Sequence, residues 1–212
     1  MQCPNRHCSW AALLSESARD LTRREMRRRR RALKASARRQ AALAVRNHLN
    51  GARLLRPGMR VGLYLAVNGE LDTRPIIALA RRHGCHVLVP VIRSHRGSTM
   101  WFVPLTEPLR SSRFGTPEPR AGRHAKVPAR WLDLVLLPVV AFGPTGERLG
   151  SGAGFYDRAF AHLHARRAWR KPLLVGLAYH WQRVDDLPAQ PWDVPLAAVI
   201  TDTGVTRFTE PQ

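Results

Sequence analysis

From Arg148 to Arg158 the chain reads Arg-Leu-Gly-Ser-Gly-Ala-Gly-Phe-Tyr-Asp-Arg, a spacing suited to holding an anion. Gly150, Gly152 and Gly154 stand at alternate positions; without a Cβ they allow positive φ and close approach of the backbone to a ligand. Converging N–H groups in such a loop form an anion nest, and a helix expected from Phe155 to about Ala165 adds the positive end of a dipole. Arg148 and Arg158 flank the loop with positive charge. Asp157 supplies a carboxylate of the kind Mg²⁺ prefers. The spacing is neither the Walker pattern nor the dinucleotide fingerprint, so it is the charged flanks that point to a nucleotide.

The surrounding elements follow from period and breakers. Leu134 to Phe142 is apolar but holds Pro138, so its first half reads as a buried strand leading into the loop. Arg60–Ala66 alternates and then runs apolar, as a first central strand would, and Thr73 or Asp72 caps a helix reaching His83. Strands are expected at His86–Ile92, Thr99–Val103, Lys171–Ala178 and the end of Trp192–Thr201, with a long Pro- and Gly-rich loop over residues 104–130. Ala18–Leu33 is an arginine-rich helix with Ser17 as N-cap, and Ala42, Val45 and Leu49 mark a second helical face before Gly51. This alternation predicts an α/β three-layer domain with a mostly parallel central sheet, sites at the strand carboxyl ends and an N-terminal basic helical arm. Residues 1–17 fit no period and are expected to be a disordered extension; residues 18–205 are expected to form one domain.

The 212 residues carry a formal charge of +20, half of it in the first 50 residues. Such charge attracts polyanions and favours anionic small substrates. The run Arg27–Arg31 points all round a helix axis and reads as a solvated face, whereas Arg19 and Arg23, four apart, share a face. Cys3, Cys8 and Cys85 make no disulfide framework, which fits a reducing cytoplasm. Cys3, His7 and Cys8 lack a partner set for a metal. His162 and His164 share no helix face and receive no role. No apolar run is long enough for a membrane span, and the start is no secretory signal.

Pro138…Ala141-Phe142…Gly146-Glu-Arg148-Leu-Gly-Ser-Gly-Ala-Gly-Phe-Tyr-Asp-Arg158 resembles the signature of the 5-formyltetrahydrofolate cyclo-ligases, or methenyltetrahydrofolate synthetases. Gly143 stands where that pattern has Asp, and Phe155 where it has Tyr. Further segments resemble the family in order along the chain. The resemblance implies an ATP site at Arg19, Arg23, Arg148, Leu149, Gly150, Ser151, Gly152, Ala153, Gly154, Phe155 and Tyr156. It implies a folate site at Leu65, Glu70, Met100 and Phe114 together with Ser151–Phe155, Mg²⁺ on Asp157 and Asp193, and catalytic roles for Arg148, Tyr156 and Asp157. The reaction implied is ATP-dependent cyclisation of 5-formyltetrahydrofolate to 5,10-methenyltetrahydrofolate through an iminium phosphate, in a cytoplasmic monomer with no specific nucleic acid or membrane partner. Two alternatives compete with it: a basic RNA-binding protein keeping an inactive ligase-like domain, and a sugar-phosphate or coenzyme A enzyme of related architecture.

Overall fold

Residues 61, 63, 134, 136, 175, 177, 198 and 200 are all apolar and buried, and so are residues 135, 137, 174 and 199 between them. Strands apolar on both faces belong in a sheet covered on both sides. The computed structural model describes residues 10–92, 100–106, 108–112, 115–119, 126–165 and 171–208. Among them run α1 (Trp10–Ala32), α2 (Ala35–Gly51), β1 (Arg60–Leu63), α3 (Arg74–Arg82), β2 (His86–Ile92), β3 (Met100–Pro104), β4 (Leu109–Ser111) and β5 (Pro117–Pro119). There follow β6 (Val127–Pro128), β7 (Leu134–Pro138), β8 (Ala141–Phe142), β9 (Arg148–Leu149), α4 (Phe155–Phe160), α5 (His162–Ala165), β10 (Leu173–Leu177), β11 (Ala198–Thr201) and β12 (Gly204–Arg207).

Eight strands form one sheet in the order β12-β11-β10-β7-β1-β2-β3-β6. Five strands, β11, β10, β7, β1 and β2, are parallel; β12 and β3 run antiparallel to them, and β6 pairs antiparallel with β3. From β1 the chain crosses to β2 on one side and later returns to β7 on the other, so strand order reverses between β1 and β7. A crevice opens at the carboxyl ends of strands at such a point. Ala41, Val45 and Leu49 of α2, with Ile76, Ile77, Leu79 and Ala80 of α3, cover one face. Phe160 of α4 packs with Leu137, Phe102 and Val199 on the other. The expected three-layer α/β architecture is the one observed.

The stretch 104–130, expected as one long loop, holds the β4–β5 pair and the edge strand β6, and three further local features differ from expectation. Helix α1 begins at Trp10, ahead of Ser17, since Trp10-Ala-Ala-Leu-Leu14 is itself helix-forming. A hairpin, β8–β9, intervenes between strand and glycine loop, closed by Val140 N–H to Leu149 O at 2.8 Å and Gly143 N–H to Glu147 O at 3.0 Å. Gly146 permits its turn: φ is +102°, and an added Cβ would lie 2.7 Å from the Leu196 carbonyl. The helix after the loop is also shorter than expected, ending at Phe160 before the separate turn of α5.

Candidate active site

Helix α1 does not stand away from the domain. Met26 packs with Val140, Ala141, Leu149 and Leu187, which lays the helix along the hairpin and glycine loop. Arg19, Arg23, Arg27 and Arg30 are spaced four, four and three apart, one continuous stripe on a helix. Each meets the site. Arg19 Nη1 donates to Asp193 Oδ2 and to the Pro188 carbonyl, both at 2.7 Å. Arg23 Nε donates to Gly150 O at 3.1 Å, and Arg27 Nη2 to Ser151 O at 2.8 Å. The Arg30 guanidinium is buried, with Nη1 4.0 Å from Glu70 Oε1.

This corrects the reading of Arg27–Arg31 as a solvated face. Arg28 is exposed on Glu25, but Arg29 lies 4.6 Å over the Trp181 ring, and Arg30 is only 5% exposed. The helix packs on a cleft, so its inward stripe is taken up there and only the outward residues remain in solvent. Spacing from Arg23 onward carried that signal; the adjacent arginines obscured it.

Arg23, Arg27 and Arg158 hold the carbonyls of Gly150, Ser151 and Ala153. In a trans peptide the following N–H points away from the carbonyl, so the N–H groups of Ser151, Gly152 and Gly154 each point away from the arginine that holds the preceding carbonyl. Gly154 sits at φ +63°, where a Cβ would be strained and 2.7 Å from Arg158 Nη1. Gly152, at φ +102°, and Gly154 are therefore required by backbone geometry, whereas Gly150 is not. Glu147 occupies the space beside Gly143: a Cβ there would fall 2.3 Å from its carboxylate. The departure from Asp at 143 thus comes with a carboxylate from the other arm of the hairpin.

Two cavities meet at this loop. The first, about 480 Å³, is lined by Leu65, Glu70, Met100, Arg148, Gly150, Ser151, Phe155 and Tyr156, with Tyr64, Pro138 and Arg30 at the sheet's switch point. The second, about 570 Å³, is lined by Arg19, Arg23, Gly152, Ala153, Arg158 and Trp192. Gly154 and Asp157 line both. Leu149 is fully buried in the α1 cluster and lines neither; Phe114 lies outside the described residues.

Burial raises the Glu70 pKa, against the opposing pull of the Val67 N–H and the Arg30 charge. Its turn is held rigidly: Tyr179 Oη donates to Gly69 O at 3.3 Å, and Val67 N–H to Glu70 Oε2 at 3.2 Å. Burial and the Glu70 charge push the Tyr156 hydroxyl well above its ordinary value, with Arg148 opposing. Arg148 is 4% exposed and donates through Nη2 to Asp157 Oδ1, while its buried Nε has no hydrogen-bond partner. Arg30 Nε is in the same condition. Two buried guanidiniums with an unused donor in one crevice describe a site built for an anionic or carbonyl-rich ligand.

Asp157 and Asp193 are brought together, since Val194 N–H lies 3.4 Å from Asp157 Oδ1. No cluster of three or more potential metal ligands occurs among the described residues. Two carboxylates, each now neutralised by an arginine that a phosphate could take over, fit a Mg²⁺ that arrives on a polyphosphate and needs few protein ligands.

A profile of the 5-formyltetrahydrofolate cyclo-ligase family matches residues 15–202. The chain belongs to this family. It is 36% identical over 153 residues to the 5-formyltetrahydrofolate cyclo-ligase of Escherichia coli K12, covering 70% of this chain and 80% of that one. It is 32% identical to the Haemophilus influenzae cyclo-ligase over 190 residues, 88% of this chain and 99% of the other. The solved 5,10-methenyltetrahydrofolate synthetase of Aquifex aeolicus superposes with a TM-score of 0.75 at 26% identity, covering 92% and 94% of the two chains. Cyclo-ligases are ATP-dependent ligases of folate metabolism acting on small molecules. The RNA-binding alternative is not supported by these relatives. No described helix is long and apolar enough to cross a membrane.

Proposed function

We propose that the protein converts 5-formyltetrahydrofolate and ATP to 5,10-methenyltetrahydrofolate, ADP and phosphate. The observation that carries this reading is the meeting of two cavities at Gly154 and Asp157. Two substrates too large for one pocket can touch there at a single pair of atoms. In this reading the folate takes the cavity of Leu65, Glu70, Met100 and Phe155. The triphosphate lies on the N–H groups of the 150–154 loop, with its tail towards Arg19 and Arg23.

The formamide oxygen of the substrate is a poor leaving group. Transfer of the γ-phosphoryl group to that oxygen breaks its bond to the ADP oxygen and makes an iminium phosphate. N10 then attacks the formyl carbon and loses its proton, and the oxygen departs as phosphate, which can carry that proton away. Phosphoryl transfer needs in-line positioning and charge neutralisation more than a strong base. Arg148, buried and with its Nε unengaged, is placed to meet charge on the transferred group. Tyr156 keeps its proton, because its pKa is raised, and acts as a donor. Mg²⁺, held by Asp157 and Asp193 when bound, neutralises phosphate charge.

The test is absorbance in the methenyl product's band with 5-formyltetrahydrofolate, Mg²⁺ and protein, with and without ATP. A rise that requires ATP is expected. No rise with ATP present would sink the proposal.

A further inference from the structure

Trp192 keeps 63% of its surface exposed, in the wall of the second cavity. Indole rings bury most of their area when packing is their only use. This one is presented by a closed turn: Asp193 N–H donates to Gln190 O at 2.9 Å, and Gln190 N–H donates to Asp193 Oδ2 at 3.0 Å. Arg19 ties the same Asp193 carboxylate to α1. The exposed ring is thus carried on a fixed support.

Two walls lead to it from the glycine loop. On α1 the cavity wall runs Arg23, Arg19, Glu16; after the loop it runs Asp157, Ala161, His164. The α1 residues step by four and then three, so they stay on one helix face, while Asp157, Ala161 and His164 come from α4, its C-cap and α5. Seven helical residues rise about 10 Å, which leaves room beyond the phosphates for a sugar and a flat ring. Arg23 and Arg158 hold the loop end and Arg19 lies beside the turn that carries the ring, so the cavity joins cations to an aromatic plane.

We propose that Trp192 is the stacking platform of a purine subsite, holding the base of the nucleotide whose phosphates lie on the glycine loop. This rests on the loop's reading as a triphosphate site. Stacking on one aromatic side chain is sequence-tolerant and strong enough to shift affinity about ten-fold.

The experiment is calorimetric titration of the full-length protein with Mg²⁺–ATP and, separately, with inorganic tripolyphosphate, for wild type, Trp192→Ala and Trp192→Phe. The alanine variant should bind ATP about ten-fold more weakly and tripolyphosphate unchanged, and the phenylalanine variant should recover most of the loss. Unchanged ATP affinity in Trp192→Ala, or an equal loss for both ligands, overturns the subsite. Wild-type protein binding tripolyphosphate as tightly as ATP overturns the subsite alone. Binding of neither ligand overturns the phosphate site with it.

Discussion

Glu70 is pulled in two directions. Burial raises its pKa, while the Val67 N–H and the Arg30 guanidinium lower it. Because the folded protein holds this proton more tightly than the unfolded chain, the group favours folding below the ordinary glutamate pKa. That contribution is lost as pH rises through the raised value. If ionised Glu70 grips the folate, removing the Arg30 charge should move the acid limb of kcat/KM against pH upwards. Arg30→Gln is expected to do so and Arg30→Lys to keep the wild-type limb; a superimposable Gln profile would mean that Arg30 does not act through Glu70. Arg148 and Asp157 form a second buried pair, with side chains 2% and 17% exposed. Asp157→Asn keeps the shape and leaves the guanidinium charge unpaired, at a cost of about 3 kcal/mol, together with a severe loss of turnover. ATP should then raise the variant's Tm more than that of wild type, because a phosphate can replace the missing carboxylate.

Helix α1 carries the clearest lesson about what was legible beforehand. Arg19 and Arg23 were readable as a facing pair, and their continuation through Arg27 and Arg30 was available in the same arithmetic. The run of five arginines hid it, since composition draws attention away from spacing. The central strands and the glycine loop were plain because burial on both faces and three alternate glycines are local signals. The β8–β9 hairpin was not, because each arm is two residues long and its pairing depends on the turn at Gly143–Glu147. Nor could local sequence bring Glu70 to Arg30: that approach depends on Gly69, at φ +76°, where an added Cβ would lie 3.0 Å from the Arg30 carbonyl. Gly69→Ala should therefore cost about 1–3 kcal/mol by denaturant unfolding and raise KM for the folate. On the nucleotide side, Arg23→Ala should weaken ATP binding by about 1.5–3 kcal/mol. Arg28→Ala, on the solvent side of the same helix, should leave it unchanged in the same titration.

Across the whole molecule, the reversal of strand order between β1 and β7 sets where the crevice opens, and the charge of +20 sets what enters it. Exposed charge is screened by salt while buried pairs are screened much less. Added salt should accordingly weaken ATP binding in wild type and weaken it less in Arg23→Ala; parallel salt slopes would show that Arg23 makes no phosphate contact. The bond between Arg19 and Asp193 joins residues 174 positions apart. A ribosome releases the arginine stripe well before the partner of its outermost member. The nascent chain can build β1, β2 and β7 while α1 still lacks the segment that anchors its outer end. Catalytic competence therefore waits until the turn at Gln190–Asp193 emerges and closes on a helix made long before it.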